Sequence, residues 1–232
     1  MSEQSSSLVE TQDLGSGIVK IMLNNPGHQN TLSEKMIDEL QSVFDAHTSG
    51  TSRVLVLAAS GKVFSAGHDL KELKAARSNA DQGKEYFQFI LKKCSTLMQS
   101  IVHHPKPVIA QVDGVATAAG FQLALSCDLV YASSSSRFAT PGVNIGLFCS
   151  TPMVALSRNT SVKHSMEMLL TGDFISAGEA ADIGLINKSL EQADLESHVL
   201  EKAKKIATKS KTTLKIGKKA FYEQIEMPLS KA

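Results

Sequence analysis

Apolar positions in this chain change their period as it runs. From Leu8 to Leu23, β-forming residues alternate or cluster on either side of Gly15-Ser16-Gly17, which predicts a hairpin of two strands, residues 8–13 and 18–23. After a loop at Asn24–Leu32, Met36, Ile37, Leu40, Val43 and Phe44 recur at helical spacing behind Ser33, a good N-cap, so a helix is expected to about His47. The run RVLVLAA, Arg53–Ala59, suits a strand buried on both faces. A loop with Gly61, Gly67 and Asp69 follows. Phe87, Ile90, Leu91, Cys94, Leu97, Met98 and Ile101 then predict a helix across Asp81–His103, ended by Pro105 and Pro107.

The second half repeats the scheme. Val108–Val112 reads as a strand, Asp113-Gly114 as a turn, Thr117–Ser126 as an alanine- and leucine-rich helix, and Asp128–Ala132 as a strand again. A Ser-rich connection and a loop at Pro141–Ser150 precede helices at Ser161–Leu170, from Ser176 to a stop at Gly184, at Asp194–Thr208 and at Thr212–Ile225. Strands alternating with helices indicate an α/β fold, and the repeated order of strand, glycine loop and helix suggests stacked supersecondary units.

Composition narrows the function. A chain of 232 residues with 42% hydrophobic and 20% charged side chains can bury a sizeable core. Its 24 basic and 23 acidic side chains give a formal charge of +1, no field for steering to nucleic acid or an anionic membrane. Apolar runs stay far below the roughly 18 to 20 residues of a membrane span. The start, MSEQSSSLVE, lacks a secretory core or transit-peptide arginines, so a cytoplasmic location is expected, with the mitochondrial matrix as the alternative for a processed form. Cys94, Cys127 and Cys149 form no C-x-x-C and read as buried free thiols; no metal site is expected, since His103 and His104 have no third ligand nearby. A nucleophile elbow and a dinucleotide fingerprint are both missing.

Two loops stand out, FSAGHDL at Phe64–Leu70 and DGVATAAGFQLALSCDL at Asp113–Leu129, each with small residues where a helix starts after a strand. Unpaired backbone N–H groups at two such places, converging, would polarise a carbonyl oxygen. Taken singly, each loop is weak evidence, better explained by small residues such as Ala118, Ala119 and Gly120 that allow close packing of helix against sheet.

In order along the chain, N-x-P with a downstream N-x-L, A-G-x-D-L, D-G followed by small residues, C-D-L and TGDFISAGEAADIGLI resemble the landmarks of the enoyl-CoA hydratase/isomerase, or crotonase, superfamily, from about Leu8 to Tyr222. The segment GLFCST, Gly146–Thr151, is particularly similar to one branch of it. The resemblance implies a crotonase-like spiral of ββα units over residues 1–190. It implies C-terminal helices over 191–232 that look shortened against the family's helical trimerisation region. Such an isolated chain is expected to expose apolar surface and to associate abnormally or bind CoA weakly.

The same resemblance implies an acyl-CoA (enoyl-CoA) thioester ligand, a role in fatty-acid metabolism, and a homotrimer or dimer of trimers where that helical region is complete. It implies no cofactor beyond coenzyme A as part of the thioester substrate. Matching motifs assigns the oxyanion donors to the backbone N–H groups of His68 and Ala119, and the thioester-lining segment to Ser65, Ala66, His68, Asp69, Leu70, Lys71 and Ala119, with Lys71 facing a phosphate or solvent. Gln122 and Gly142 stand where hydratases of the family carry two glutamates. Three readings follow: chemistry driven by the substrate itself, such as decarboxylation or thioester cleavage; lyase or isomerase chemistry with a substitute side chain among His68, Asn144 and Cys149; or non-catalytic acyl-CoA binding or regulation. Asp69 and Asp128 match positions that support loops.

Overall fold

The computed structural model describes residues 7–232. Its elements, in chain order, are β1 (Val9–Asp13), β2 (Ile18–Leu23), α1 (Glu34–Ala46), β3 (Val54–Ala59), β4 (Val63–Ser65), α2 (Leu70–Ala76), α3 (Lys84–Val102), β5 (Val108–Val112), β6 (Val115–Thr117), α4 (Ala119–Leu125), β7 (Leu129–Ser133), β8 (Arg137–Ala139), α5 (Pro152–Asn159), α6 (Val162–Thr171), β9 (Ile175–Ser176), α7 (Ala177–Asp182), β10 (Lys188–Leu190), α8 (Gln192–Ala207) and α9 (Lys211–Gln224). Short 3-10 turns occupy Pro26–His28 and Pro141–Ile145.

The strands divide between two sheets, in the order β1-β2-β3-β5-β7-β10 and β4-β6-β8-β9. Each turn of the chain therefore lays one strand in the large sheet, the next in the small sheet, and returns through a helix: β3 and β4 with α2 and α3, β5 and β6 with α4, β7 and β8 with α5 and α6. The ββα units expected from the sequence are present. Pairing within the β3, β5 and β7 run and within β4, β6 and β8 is parallel, as helical returns require.

Alternation fixes the layers. Val54 and Val56 of β3, with Ile18, Ile109 and Tyr131, face Leu195, Val199, Ala203 and Ala207 of α8. Leu55 and Leu57 face the main core with Met36, Ile37, Leu40 and Phe44 of α1 and Ile90, Leu97 and Ile101 of α3. A strand covered on both sides must be apolar at every position, as Val54–Ala59 is. Ser33 caps α1, its hydroxyl accepting from the Met36 N–H at 3.2 Å.

Several elements depart from the sequence reading. Thr117 closes β6 rather than opening a helix, β8 lies beyond the Ser-rich connection, and α5 occupies a stretch for which no element was expected. The strands of the small sheet are two or three residues long, too short for a period of two to show, and are defined by pairing with distant segments. Among the described residues, no helix is long and apolar enough to cross a membrane.

α9 buries none of its residues fully, yet it is pinned. The Lys218 ammonium donates to Asp128 at 2.7 Å and to the carbonyls of Ile101 and Lys106, and the Tyr222 hydroxyl donates to the other Asp128 oxygen at 3.0 Å. Asp128 also accepts from the Val108 N–H at 2.7 Å, so one carboxylate ties α9 to the start of β5.

Candidate active site

The two loops singled out in the sequence lie against each other. A methyl group built on Gly67 would sit 3.1 Å from both the Ala118 side chain and the Ala119 nitrogen; one built on Gly120 would sit 2.2 Å from the Ser65 carbonyl oxygen. Only glycine at both positions lets the end of β4 pass this close to the start of α4. The Thr117 hydroxyl crosses the gap to the Ala66 carbonyl at 3.2 Å, while the Ala66 N–H donates to Gln29 at 3.1 Å.

Among the described residues, neither the His68 N–H nor the Ala119 N–H has an acceptor in the protein. For Ala119 the cause is position: it is the first residue of α4, whose opening N–H groups have no intrahelical partner. Ala118 before it holds φ +47° and ψ −125°, a conformation that suits glycine better than alanine, with its own N–H on Ala139 at 3.0 Å. Strain of this kind costs on the order of 1–3 kcal/mol and persists where surroundings enforce it. For His68, the adjoining Gly67 at φ +89° gives its carbonyl to the Leu32 N–H at 2.8 Å.

The side chains around these donors are unusual. Both His68 ring nitrogens are buried without a hydrogen-bond partner, and burial pushes the imidazole below its ordinary value, the Leu32 backbone opposing from outside a well-formed bond. Gln122, in the second turn of α4, is 7% exposed and its Oε1 is buried without a partner. Gly142 sits in the 3-10 turn after β8, and a methyl there would meet the Leu147 carbonyl at 2.6 Å and Cys149 Sγ at 2.9 Å.

The remaining sequence candidates separate into two groups. Ser65 is fully buried and its hydroxyl accepts from the Gly67 N–H at 3.3 Å, so it shapes the loop. Asp69 caps α2 through the Lys71 N–H at 2.8 Å, which commits one carboxylate oxygen. Leu70 and Lys71 begin α2 and are exposed, and Asn144 is exposed on the 3-10 turn. Burial raises the Cys149 thiol, the Gly142 N–H opposing weakly. The other two cysteines are buried and free, and the described residues hold no cluster of three metal-ligating side chains. His104 is buried, its Nε2 near the Phe44 carbonyl at 3.2 Å and its Nδ1 accepting from the Lys106 N–H at 3.2 Å.

The Ala118 backbone and the buried, unpartnered ring nitrogens of His68 and amide oxygen of Gln122 were not foreseen. Nothing in an alanine marks a positive φ, and the burial arises only when the two loops meet. A groove of about 580 Å³ between α2 and α3, lined by Asn79, Asp81, Glu85, Tyr86 and Phe89, was also unmarked in the sequence.

Residues 13–232 match the family model described as enoyl-CoA hydratase/isomerase. The chain is 47% identical over 217 residues to the rat protein named enoyl-CoA hydratase domain-containing protein 3, mitochondrial, covering 93% of this chain and 71% of that one. The crystal structure of human enoyl coenzyme A hydratase domain-containing protein 3 superposes with a TM-score of 0.91 at 46% identity, covering 97% of this chain and 87% of that chain. An enoyl-CoA hydratase structure from Mycobacterium smegmatis gives 0.92 at 42% identity, covering 97% and 86%. These relatives correct one expectation. Rat, human and mouse proteins at 46–47% identity are all named as mitochondrial, which overturns the cytoplasmic location drawn from the first ten residues.

Proposed function

The chain belongs to the enoyl-CoA hydratase/isomerase family, and on that footing we propose that it binds an acyl-CoA thioester, polarises the thioester carbonyl with the backbone N–H groups of His68 and Ala119, and lacks the side chains for rapid hydration. The observation that carries this reading is the pair of unpartnered N–H groups on two loops in van der Waals contact. Such donors, fixed before the ligand arrives, stabilise charge developing on a carbonyl oxygen, and losing one typically costs about 10²–10³ in rate.

Hydration of a conjugated thioester needs one group to activate water and one to protonate carbon, each worth roughly 10²–10⁴. By motif match, Gln122 and Gly142 take the places of the two glutamates. An amide exchanges no proton near neutral pH, and glycine offers no group at all. The chemistry this leaves is a reaction that draws mainly on carbonyl polarisation, such as an enolate-forming decarboxylation or thioester cleavage within acyl-CoA metabolism, or binding alone. Lys71, exposed on α2, is assigned to a CoA phosphate. Assembly as a homo-oligomer is supported by the exposed apolar side chains of Ile145, Leu147, Phe148, Met153 and Val154.

The test is spectroscopic. Crotonyl-CoA carrying a ¹³C-labelled thioester carbonyl is expected to show a lower carbonyl stretching frequency when bound, because two donors weaken the C=O bond. A bound thioester with the frequency it has in water refutes the assignment of the donors.

A further inference from the structure

The turn at residues 49–52, which feeds the start of β3, borders a cavity of about 370 Å³ together with Asp13, Gly17 and His47. The His68 loop is reached only beyond the far end of β3, a strand of six residues and roughly 20 Å. Beneath the turn lies Lys106, 1% exposed. Its ammonium donates to the Ser49 carbonyl and, at 2.6 Å, to the Ser52 hydroxyl, and no carboxylate among the described residues pairs with it. A lysine this buried is rarely left without a counter-charge. Lys211 brings a second ammonium, 2.6 Å from the Gly50 carbonyl.

These two cations orient the donors of the turn. Its peptides are trans, so carbonyl and following N–H point opposite ways, and the ammonium groups that hold the Ser49 and Gly50 carbonyls turn the Gly50 and Thr51 N–H groups away from themselves. Neither of these, nor the N–H of Ser49 or Ser52, has an acceptor among the described residues. Successive free N–H groups in a turn, here with Gly50 at φ +78°, make an anion-binding concavity. An ammonium can only donate, so the Ser52 hydroxyl accepts from Lys106 and gives its own hydrogen to His47 Nδ1 at 3.3 Å. Burial and the Lys106 charge push the His47 imidazole below its ordinary value and keep it neutral, which leaves its one N–H on Nε2, without a partner.

We propose that this cavity is a second ligand site, which binds a phosphate group through the N–H groups of residues 49–52 and the His47 imidazole, with Lys106 and Lys211 supplying the counter-charge. It stands apart from the thioester-binding reading and does not depend on it. Phosphate fits because its several acceptor oxygens can meet several donors at once, and charge-assisted hydrogen bonds of this kind are the strong ones. A neutral or cationic ligand would leave the buried ammonium uncompensated. The Asp13 carboxylate borders the same cavity, with one oxygen accepting from the Gly15 N–H at 2.8 Å, and its single charge stands against two ammonium groups.

The experiment follows backbone amide shifts of the full chain by NMR as sodium phosphate, glycerol 3-phosphate or sodium chloride is added at constant ionic strength. The amides of residues 49–52 are expected to shift saturably with the two phosphates and to stay in place with chloride. Either phosphate acting so supports the site, and the tighter one tells whether free phosphate or a monoester is its source. Lys211→Glu, at an exposed position, is expected to weaken binding at least about 3-fold, and Lys163→Glu, exposed on α6, to leave it unchanged. Equal shifts with chloride, shifts that never saturate, saturable shifts confined to other residues, or undiminished affinity in Lys211→Glu overturn the inference. The place of the shifts in the unaltered protein decides the matter even if Lys211→Glu folds poorly.

Discussion

Replacing Gly120 with alanine tests the contact on which the site is built. The added methyl would lie 2.2 Å from the Ser65 carbonyl oxygen, 2.6 Å from its Cβ and 2.7 Å from its carbonyl carbon. Ordinary contact begins near 3.5 Å, so the end of β4 and the start of α4 must separate by about 1 Å. The obstruction is backbone, which no rotamer change relieves. Overpacking of this kind typically costs about 1–3 kcal/mol in stability. The larger effect falls on the site, because His68 and Ala119 sit on the two sides being parted, and a misplacement of about 1 Å can cost on the order of 10²-fold. Urea unfolding and thioester titration on one preparation separate the two effects. The expected result is a folded protein, destabilised by a few kcal/mol, whose preference for crotonyl-CoA over free CoA is lost. Gly217→Ala, exposed within α9 with no atom near the added methyl, serves as control and is expected to stabilise by about 0.5–1 kcal/mol. Unchanged thioester affinity in Gly120→Ala refutes the reasoning that these loops jointly hold the carbonyl.

Other outcomes follow from the same geometry. Gly142→Glu is not expected to bring hydration, because its Cβ would meet the Leu147 carbonyl and Cys149 Sγ, and a measured gain above tenfold in loss of enoyl absorbance contradicts this. Asp128→Ala strips the buried Lys218 ammonium of its carboxylate and Tyr222 of its acceptor, and is expected to cost about 3–5 kcal/mol in urea unfolding; a loss below about 1 kcal/mol shows that α9 is held otherwise. The imidazoles of His68 and His104 are both pushed below 6.5, burial being the main cause. Their folded forms bind fewer protons than the unfolded chain, so the stability they contribute is complete above about pH 6.5 and is lost as pH falls through their lowered values. Melting temperature should hold from pH 8 to 7 and decline from 6.5 toward 5; a rise over that range contradicts the sign.

Legibility in the sequence followed the length of each signal. The apolar runs of α1, α3 and β3 span whole turns or whole strands, so their period showed directly, and Ser33 and Ser176 announced two helix starts that the structure keeps. The small sheet stayed hidden because strands such as Val63–Ser65 and Arg137–Ala139 exist only by pairing with partners far along the chain. The family was readable because its landmarks are glycines and prolines that backbone geometry requires, Gly67 and Gly120 among them. What those loops do to their neighbours was not readable. An alanine forced to φ +47° and a histidine with both nitrogens orphaned are results of tertiary contact. The location drawn from the first ten residues failed because it rested on residue types alone and touched no part of the fold.

Thioester recognition without hydration is tested most directly by titrating crotonyl-CoA and free CoA into the protein beside an assay of the conjugated enoyl absorbance. Saturable binding that favours crotonyl-CoA, with turnover at least about 10²-fold below that of a hydratase carrying both glutamates, is the predicted result. Rapid loss of absorbance, or no preference for the thioester over free CoA, would contradict it.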